Sequence, residues 1–433
     1  MSSGEGGKPQ VRGTPALGLA AGTIAFFAGY AAVALFGTSA HMVASILHLS
    51  IVEVGWLVAI PIVTGAFLRI PFSALVDRVG GRRVLLTQLG IALAGMIGLM
   101  ASLHEILAGA VTSAAAGYAL LMIFGAIAGT GISTFSSGIT YVSYWYPQHR
   151  QGWALGTYAG LGNAAPGIFT AILPYALISL GLVMSYAAWT AFLAVMIAVF
   201  AVIGYDAYYF QLARKLGREG AMRRAKELGE ELMPSGSAVE SLRISIAKWR
   251  TWLLVIMYFA SFGGFEALTE WLPTYWGSYI RASPIIAGLL TGVVYSLVTA
   301  LLRVPGGWLS DRLGGERVAI ASYAILVGGA IVMMLSSSLP ASVAGEVIMG
   351  IGMGVANAAV FKLVPKYVPE AVGGASGWVG GLGSAGGLLI PPAMAYFVAA
   401  MGHAGYAAGF VIFVVLGAIS IALSAILMRH RAG

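Results

Sequence analysis

The chain has 433 residues, 59% of them hydrophobic, 9% charged and none cysteine, with a mean hydropathy of +0.88. Soluble globular domains carry about 25% charged residues, so this is an integral membrane protein. The absence of cysteine excludes disulfides, thiol catalysis and cysteine-held metals. The net charge of +8 sits in alternate connections and at the two ends, which is the pattern of membrane topology and not of nucleic-acid binding.

Apolar stretches of roughly 20 residues, long enough to cross a hydrocarbon core about 30 Å thick, recur along the chain. Twelve are predicted, near 17–40, 53–75, 84–102, 112–140, 151–174, 184–208, 251–275, 284–309, 317–338, 341–363, 371–398 and 405–428. The first follows a polar, glycine-rich segment and lacks a small-residue cleavage site, so it reads as a retained helix and not a signal peptide. Residues 1–16 form an N-terminal tail, 17–208 a first six-helix bundle, 209–250 a polar linker, 251–428 a second bundle and 429–433 a tail. The linker sequence QLARKLGREGAMRRAKELGEEL has helical spacing and mixed charge, suited to an anionic lipid surface. Arg281 is the only basic residue in the connections opposite the positive ones, which places both termini and the linker in the cytoplasm and requires an even number of spans.

Two phrases are repeated between the halves. LRIPFSALVDRVGGRR, with Arg69 and Asp77, returns as LRVPGGWLSDRLGGER, with Arg303 and Asp311, a constant 234 residues later. QGWALGTYAGLGN, with Gly162, returns as VGGASGWVGGLGS, with Gly383. A duplicated bundle of six plus six helices is the major facilitator architecture. The fold expected is therefore an all-α membrane protein of twelve transmembrane helices in two pseudo-symmetric six-helix bundles. The Asp-Arg-x-Gly-Gly phrase resembles that superfamily's short-loop motif. It reads as a gating latch in which Asp77, Arg78, Asp311 and Arg312 pair across the bundle interface after a tight glycine turn.

Arg69 and Arg303 each lie eight residues before their aspartate. At 1.5 Å per residue that is about 12 Å, toward the middle of the bilayer. An arginine there costs at least about 2.5–3.5 kcal/mol on insertion scales and marks a functional site facing the interior. Two such arginines facing each other make an anion site.

GTGISTFSSGITYVSYWYPQHRQGWALGTYAGLGNAAPG and VFKLVPKYVPEAVGGASGWVGGLGSAGGLLIPP, taken with both arginines, resemble the paired glycine-rich signatures of the nitrate/nitrite porters, a branch of the major facilitators. That resemblance spans essentially the whole chain. It implies that Arg69 and Arg303 grip nitrate, that Phe135 and Phe262 stack on its faces, that Tyr258 donates a hydroxyl, that Asn163 belongs to the site, and that Gly162 and Gly383 allow close backbone approach. It implies no cofactor. Nitrate is planar and weakly hydrated, so a guanidinium fork can bond two of its oxygens while aromatic faces exclude water.

A potential negative inside opposes anion entry by about 2.3 kcal/mol per charge per 100 mV. Accumulation therefore needs exchange for internal nitrite, or cotransport of at least two protons per nitrate. Glu266, Glu270 and Glu346 are the acids expected to carry protons, with Glu266 or Glu346, when ionised, competing with nitrate for the arginines. Glu266 stands one turn after Phe262 on the same face, and His41 is a further titratable group. The function expected is proton-coupled uptake of nitrate, and of nitrite, by a monomer in the cytoplasmic membrane. The alternatives are nitrate/nitrite antiport, a small organic-anion carrier, and a non-transporting nitrate sensor. No serine triad, HExxH or phosphate-loop motif suggests an enzyme.

Overall fold

A computed structural model describes residues 10–31, 34–147, 154, 157–231, 238–368 and 372–430. Among them, eleven helices are long and apolar enough to cross a membrane, and no strand occurs. The first predicted span is described as α1 (Pro15–Ala31) and α2 (Ala34–Leu47), with residues 32 and 33 outside the described set. Then follow α3 (Ile51–Phe67), α4 (Arg69–Val79), α5 (Gly81–Leu107), α6 (Ala114–Trp145), α7 (Thr157–Leu180) and α8 (Leu182–Ile203). The second half contains α11 (Trp249–Tyr279), α12 (284–301), α13 (Arg303–Leu313), α14 (Gly315–Leu335), α15 (Leu339–Tyr367), α16 (Val372–Ser384), α17 (Gly386–Met401) and α18 (Val411–Arg429). Between the halves lie α9 (Tyr208–Glu227) and α10 (Ala238–Ile246).

Two hydrophobic cores divide the chain. One runs from Leu19 to Ala207 and the other from Leu254 to Leu427. Each half therefore has its own core, and the interface between them adds buried polar residues and stacked rings, such as Phe135 on Phe262.

The helices bend at equivalent positions in the two halves. α3 gives way to α4 at Leu68, and α12 to α13 at Leu302, each immediately before an arginine. Both arginines begin an Arg-x-Pro triplet, ending at Pro71 and Pro305. A proline inside a helix removes the bond to the carbonyl four residues back and crowds that carbonyl. The bend thus falls at the arginine and frees local backbone at the level of the site. The connections after α4 and α13 are also alike. Gly80 has φ +87° and Gly314 φ +89°, backbone that other residues rarely adopt, and a Cβ on Gly80 would meet the Asp206 carboxylate at 2.6 Å.

The end of the bundle that carries Pro15, α9, α10 and Arg429 is called basal here, and the opposite end distal. At the distal end the two halves are in close contact, α2 on α11, α3 on α17 and α7 on α12. A Cβ on Gly167 would lie 2.6 Å from the Gly292 carbonyl oxygen, so the backbones of α7 and α12 touch directly. At the basal end, α10 lies along α16, with the Trp378 indole donating to the Leu242 carbonyl at 2.9 Å. α9 bends at Gly217 (φ +67°), and its N-terminus is capped by Glu230, which accepts from the backbone N–H of Tyr208 and, at 2.9 Å, of Tyr209.

Candidate functional site

At mid-depth, where the two halves meet, Arg69 is fully buried. Its Nη1 donates to the Gly380 carbonyl of α16 at 3.0 Å, and its Nη2 donates to Oε1 of Glu266 of α11 at 3.0 Å. Glu266 is itself 1% exposed and also accepts from the Tyr30 hydroxyl at 3.2 Å. Both of these hydrogen-bond partners come from the opposite half. Among the described residues Arg69–Glu266 is the one ion pair between the halves. Arg69 Nε and Glu266 Oε2 have no hydrogen-bond partner there.

The aromatic residues surround this pair. Phe135 and Phe262 stack on each other with centroids 6.1 Å apart and planes inclined by 26°. The Arg69 guanidinium lies 5.2 Å from the Phe135 centroid and 5.3 Å from that of Phe262. Arg303, half-buried, lies 4.7 Å from the Phe262 centroid and donates to the Tyr258 hydroxyl at 3.4 Å. One ring, Phe262, thus touches both guanidiniums, and cation–π attraction holds each in place. Tyr258 stacks on Phe262 at 4.9 Å and receives the edge of Phe361 at 4.8 Å. Helix α11 widens to π-type turns at Phe259–Gly263 and Tyr275–Tyr279, irregularities frequent at functional sites.

A planar anion sandwiched between two rings needs about twice the carbon contact distance of 3.5 Å. Phe135 and Phe262 stand closer than that. In this conformation their faces hold the arginines, and an anion passes between the rings only after they part.

The remaining sequence-derived positions fall as follows. Asn163 is buried, its Nδ2 bound to the Ala159 carbonyl at 2.6 Å and its Oδ1 without a partner among the described residues. Gly162 and Gly383 abut rings: a Cβ would meet Phe26 at 1.9 Å on the first and Tyr258 at 2.7 Å on the second. The close approach they permit in this conformation is therefore to aromatic side chains, and Phe26 in turn touches Phe135 at 5.2 Å. Glu270 is fully buried one turn distal to Glu266, and its Oε2 accepts from the Gly37 N–H at 3.0 Å.

In this conformation Glu346 does not stand beside the arginines. Its Oε1 accepts from the Trp276 indole at 3.3 Å. The stretch of α15 beside the Arg303 segment is the one around Gly354, which abuts Leu302, two helical turns or about 12 Å farther along. His41 is exposed on the bundle exterior. Arg78 is exposed, and Arg312 lies 4.0 Å over Trp308 of its own helix. The side chains of Asp77 and Asp311 lie outside the described ones.

Sequence reasoning missed Tyr30, the Gly380 carbonyl, Phe26 and Phe361. Asn357 was missed too. It is 2% exposed, and neither of its amide atoms meets a partner among the described residues.

The family model of the Major Facilitator Superfamily matches residues 22–293 and 254–432. The chain is 30% identical over 365 residues to the probable nitrate/nitrite transporter NarK2 of Mycobacterium tuberculosis, covering 83% of each chain. The chain belongs to the nitrate/nitrite porter branch of the major facilitators. It is also 29% identical over 400 residues to the probable nitrate/nitrite antiporter NarK1 of Thermus thermophilus (86% of this chain, 83% of that one). A nitrite extrusion protein of Bacillus subtilis is 27% identical over 390 residues (90% and 88%). In fold, the porter is similar to the xylose transporter XylE from E. coli in its partially occluded inward-open conformation. The TM-score is 0.70 at 13% identity, covering 97% of this chain and all of that one. The major facilitator fold expected from the repeats is thus the fold observed.

Proposed function

We propose that this protein transports nitrate, and nitrite, across the cytoplasmic membrane by alternating access, and that nitrate entry is coupled to protons. The basal end is then cytoplasmic, bearing both termini and the linker 209–250. The bundles 17–208 and 251–428 rock about the Arg69–Arg303 site, with no chemical change to the substrate, no cofactor and one chain as the working unit.

The observation that carries the reading is the Arg69–Glu266 pair. Glu266 occupies, on the Arg69 guanidinium, the place an anionic substrate would take. A carboxylate and nitrate present the same planar pair of oxygens to a guanidinium fork. With Glu266 ionised, nitrate competes with a tethered anion. Once Glu266 is protonated, the attraction fades and the fork is free. Nitrate and a proton therefore bind cooperatively, and by linkage each favours the other equally. Tyr30 stays hydrogen-bonded to the acid in either state, since a hydroxyl both donates and accepts.

Two close positive charges without an anion repel each other. Glu266 screens Arg69 in the resting protein, while a bound nitrate facing both guanidiniums lowers the cost of bringing the halves together. Exchange for internal nitrite is the second reading, favoured by the antiporter name of the Thermus thermophilus relative. Labelled nitrate uptake into proteoliposomes separates the two. Uptake driven by an inward proton gradient without internal nitrite, with acidification of the lumen, is the expected result. Uptake only after nitrite is loaded inside would replace proton coupling by exchange, and no nitrate flux in either condition would overturn the reading.

A further inference from the structure

Glu270 sits one turn distal to Glu266 on α11, fully buried, and its only described hydrogen bond crosses between the halves, from the Gly37 backbone N–H of α2. Gly37 has no room for a side chain, since a Cβ would lie 2.8 Å from the Glu270 carbonyl oxygen. The other carboxyl oxygen, Oε1, meets no partner among the described residues. The groups in electrostatic range are Glu266, also an acid, and the Tyr30 and Tyr186 phenols. Tyr186 is hydrogen-bonded to Ser39 of α2 at 2.9 Å. His41 on α2 is exposed and faces away. No cation is paired with Glu270 among the described residues.

A buried carboxylate without a cation and beside a second acid is costly. The neutral acid keeps the Gly37 hydrogen bond through its carbonyl oxygen and avoids that cost. We propose that Glu270 is a second proton-carrying acid, protonated as the distal ends of α2 and α11 close over it, so that each closure of that side carries one proton inward.

The proposal rests on the transport reading above and adds a residue to it. With the distal side open, Glu270 is hydrated and equilibrates with the outer medium. Closure seals it against Gly37 in its neutral form, and opening of the basal side lets water reach it from the direction of Glu266, which removes the cost of the ionised form and releases the proton to that side. Glu266 and Glu270 together bring two protons with one nitrate. The complex then moves inward with net positive charge, so a potential negative inside drives a flux it would oppose for nitrate alone.

The test is Glu270→Gln, which keeps a carbonyl acceptor for Gly37. Nitrate counterflow and proton-driven uptake are measured in the same proteoliposomes. Counterflow is expected to persist, while lumenal acidification per nitrate falls by about one proton. Equal acidification per nitrate in wild type and Glu270→Gln overturns the proposal. A wild type that moves no nitrate overturns instead the reading beneath it. If the variant also loses counterflow, infrared difference spectra decide. The carbonyl band of a neutral carboxylic acid, present in the wild type at neutral pH and missing in the variant, supports the assignment. Identical spectra reject it.

Discussion

Arg69→Lys keeps the positive charge and removes the fork. In the structure two nitrogens of the guanidinium work at once, one on the Gly380 carbonyl and one on Glu266, both at 3.0 Å. A single ammonium on a shorter stem does not span both acceptors and is more strongly hydrated. Losing one charge-assisted hydrogen bond costs about 1.5–3 kcal/mol. Weakening the compensation of buried Glu266 acts on stability instead, toward the 3–5 kcal/mol typical of a broken buried pair. Through the lost bond to the substrate, the substitution is expected to lower kcat/KM for nitrate by about 10- to 100-fold, which corresponds to about 1.4–2.7 kcal/mol. The assay is initial nitrate uptake over a concentration series in proteoliposomes matched for protein content. Gel filtration and thermal unfolding establish that the variant is folded. A folded Arg69→Lys protein within about threefold of wild type would mean that charge alone suffices, and the fork argument would be refuted.

Three further outcomes follow from the same geometry. Glu266→Gln leaves Arg69 without an ionised competitor, so nitrate binding is expected to become stronger and to lose its dependence on external pH; unchanged pH dependence would remove Glu266 from the coupling. Gly162→Ala pushes Phe26 into Phe135, and overpacking of this kind costs about 1–3 kcal/mol; a lowered Tm with impaired nitrate affinity is expected, and wild-type values for both would show that Phe26 does not set the position of Phe135. At the basal end, burial pushes the Glu230 carboxyl up to about 7, against the two backbone hydrogen bonds that favour its ionised form. The folded cap then holds more protons than the unfolded segment between about pH 4.5 and 7, so stability declines as pH rises through that window. Amide exchange at Tyr208 and Tyr209, corrected for intrinsic rates, should reveal the α9 cap loosening toward pH 8 in the wild type and not in Glu230→Gln.

The repeats made the fold and the arginines legible. Arg69 and Arg303 stand out because each interrupts an apolar run at the same place in each half, and the Arg-x-Pro triplets also carry the bend. Glu266 was readable from its spacing after Phe262. Its pairing with Arg69 was not, because the two are 197 residues apart and meet across the interface between halves, where helical periodicity gives no register. Tyr30 and the Gly380 carbonyl were hidden for the same reason. Glu346 and Glu266 look alike in sequence, each an acid in an apolar helix, but depth along the helix separates them, and the ends of an apolar run do not fix depth. Gly162 and Gly383 mark places without room for a side chain, yet a glycine does not reveal what fills the space beside it. Here that is Phe26 and Tyr258.

The central claim is that nitrate and a proton replace the Arg69–Glu266 pair together. Calorimetric titration of nitrate into the purified protein, repeated in buffers of different ionisation enthalpy, counts the protons taken up on binding. The account expects uptake approaching about one proton per nitrate at a pH where Glu266 is ionised, and none from this site in Glu266→Gln. Nitrate binding at the same affinity in both proteins, with no proton uptake in either, would contradict it.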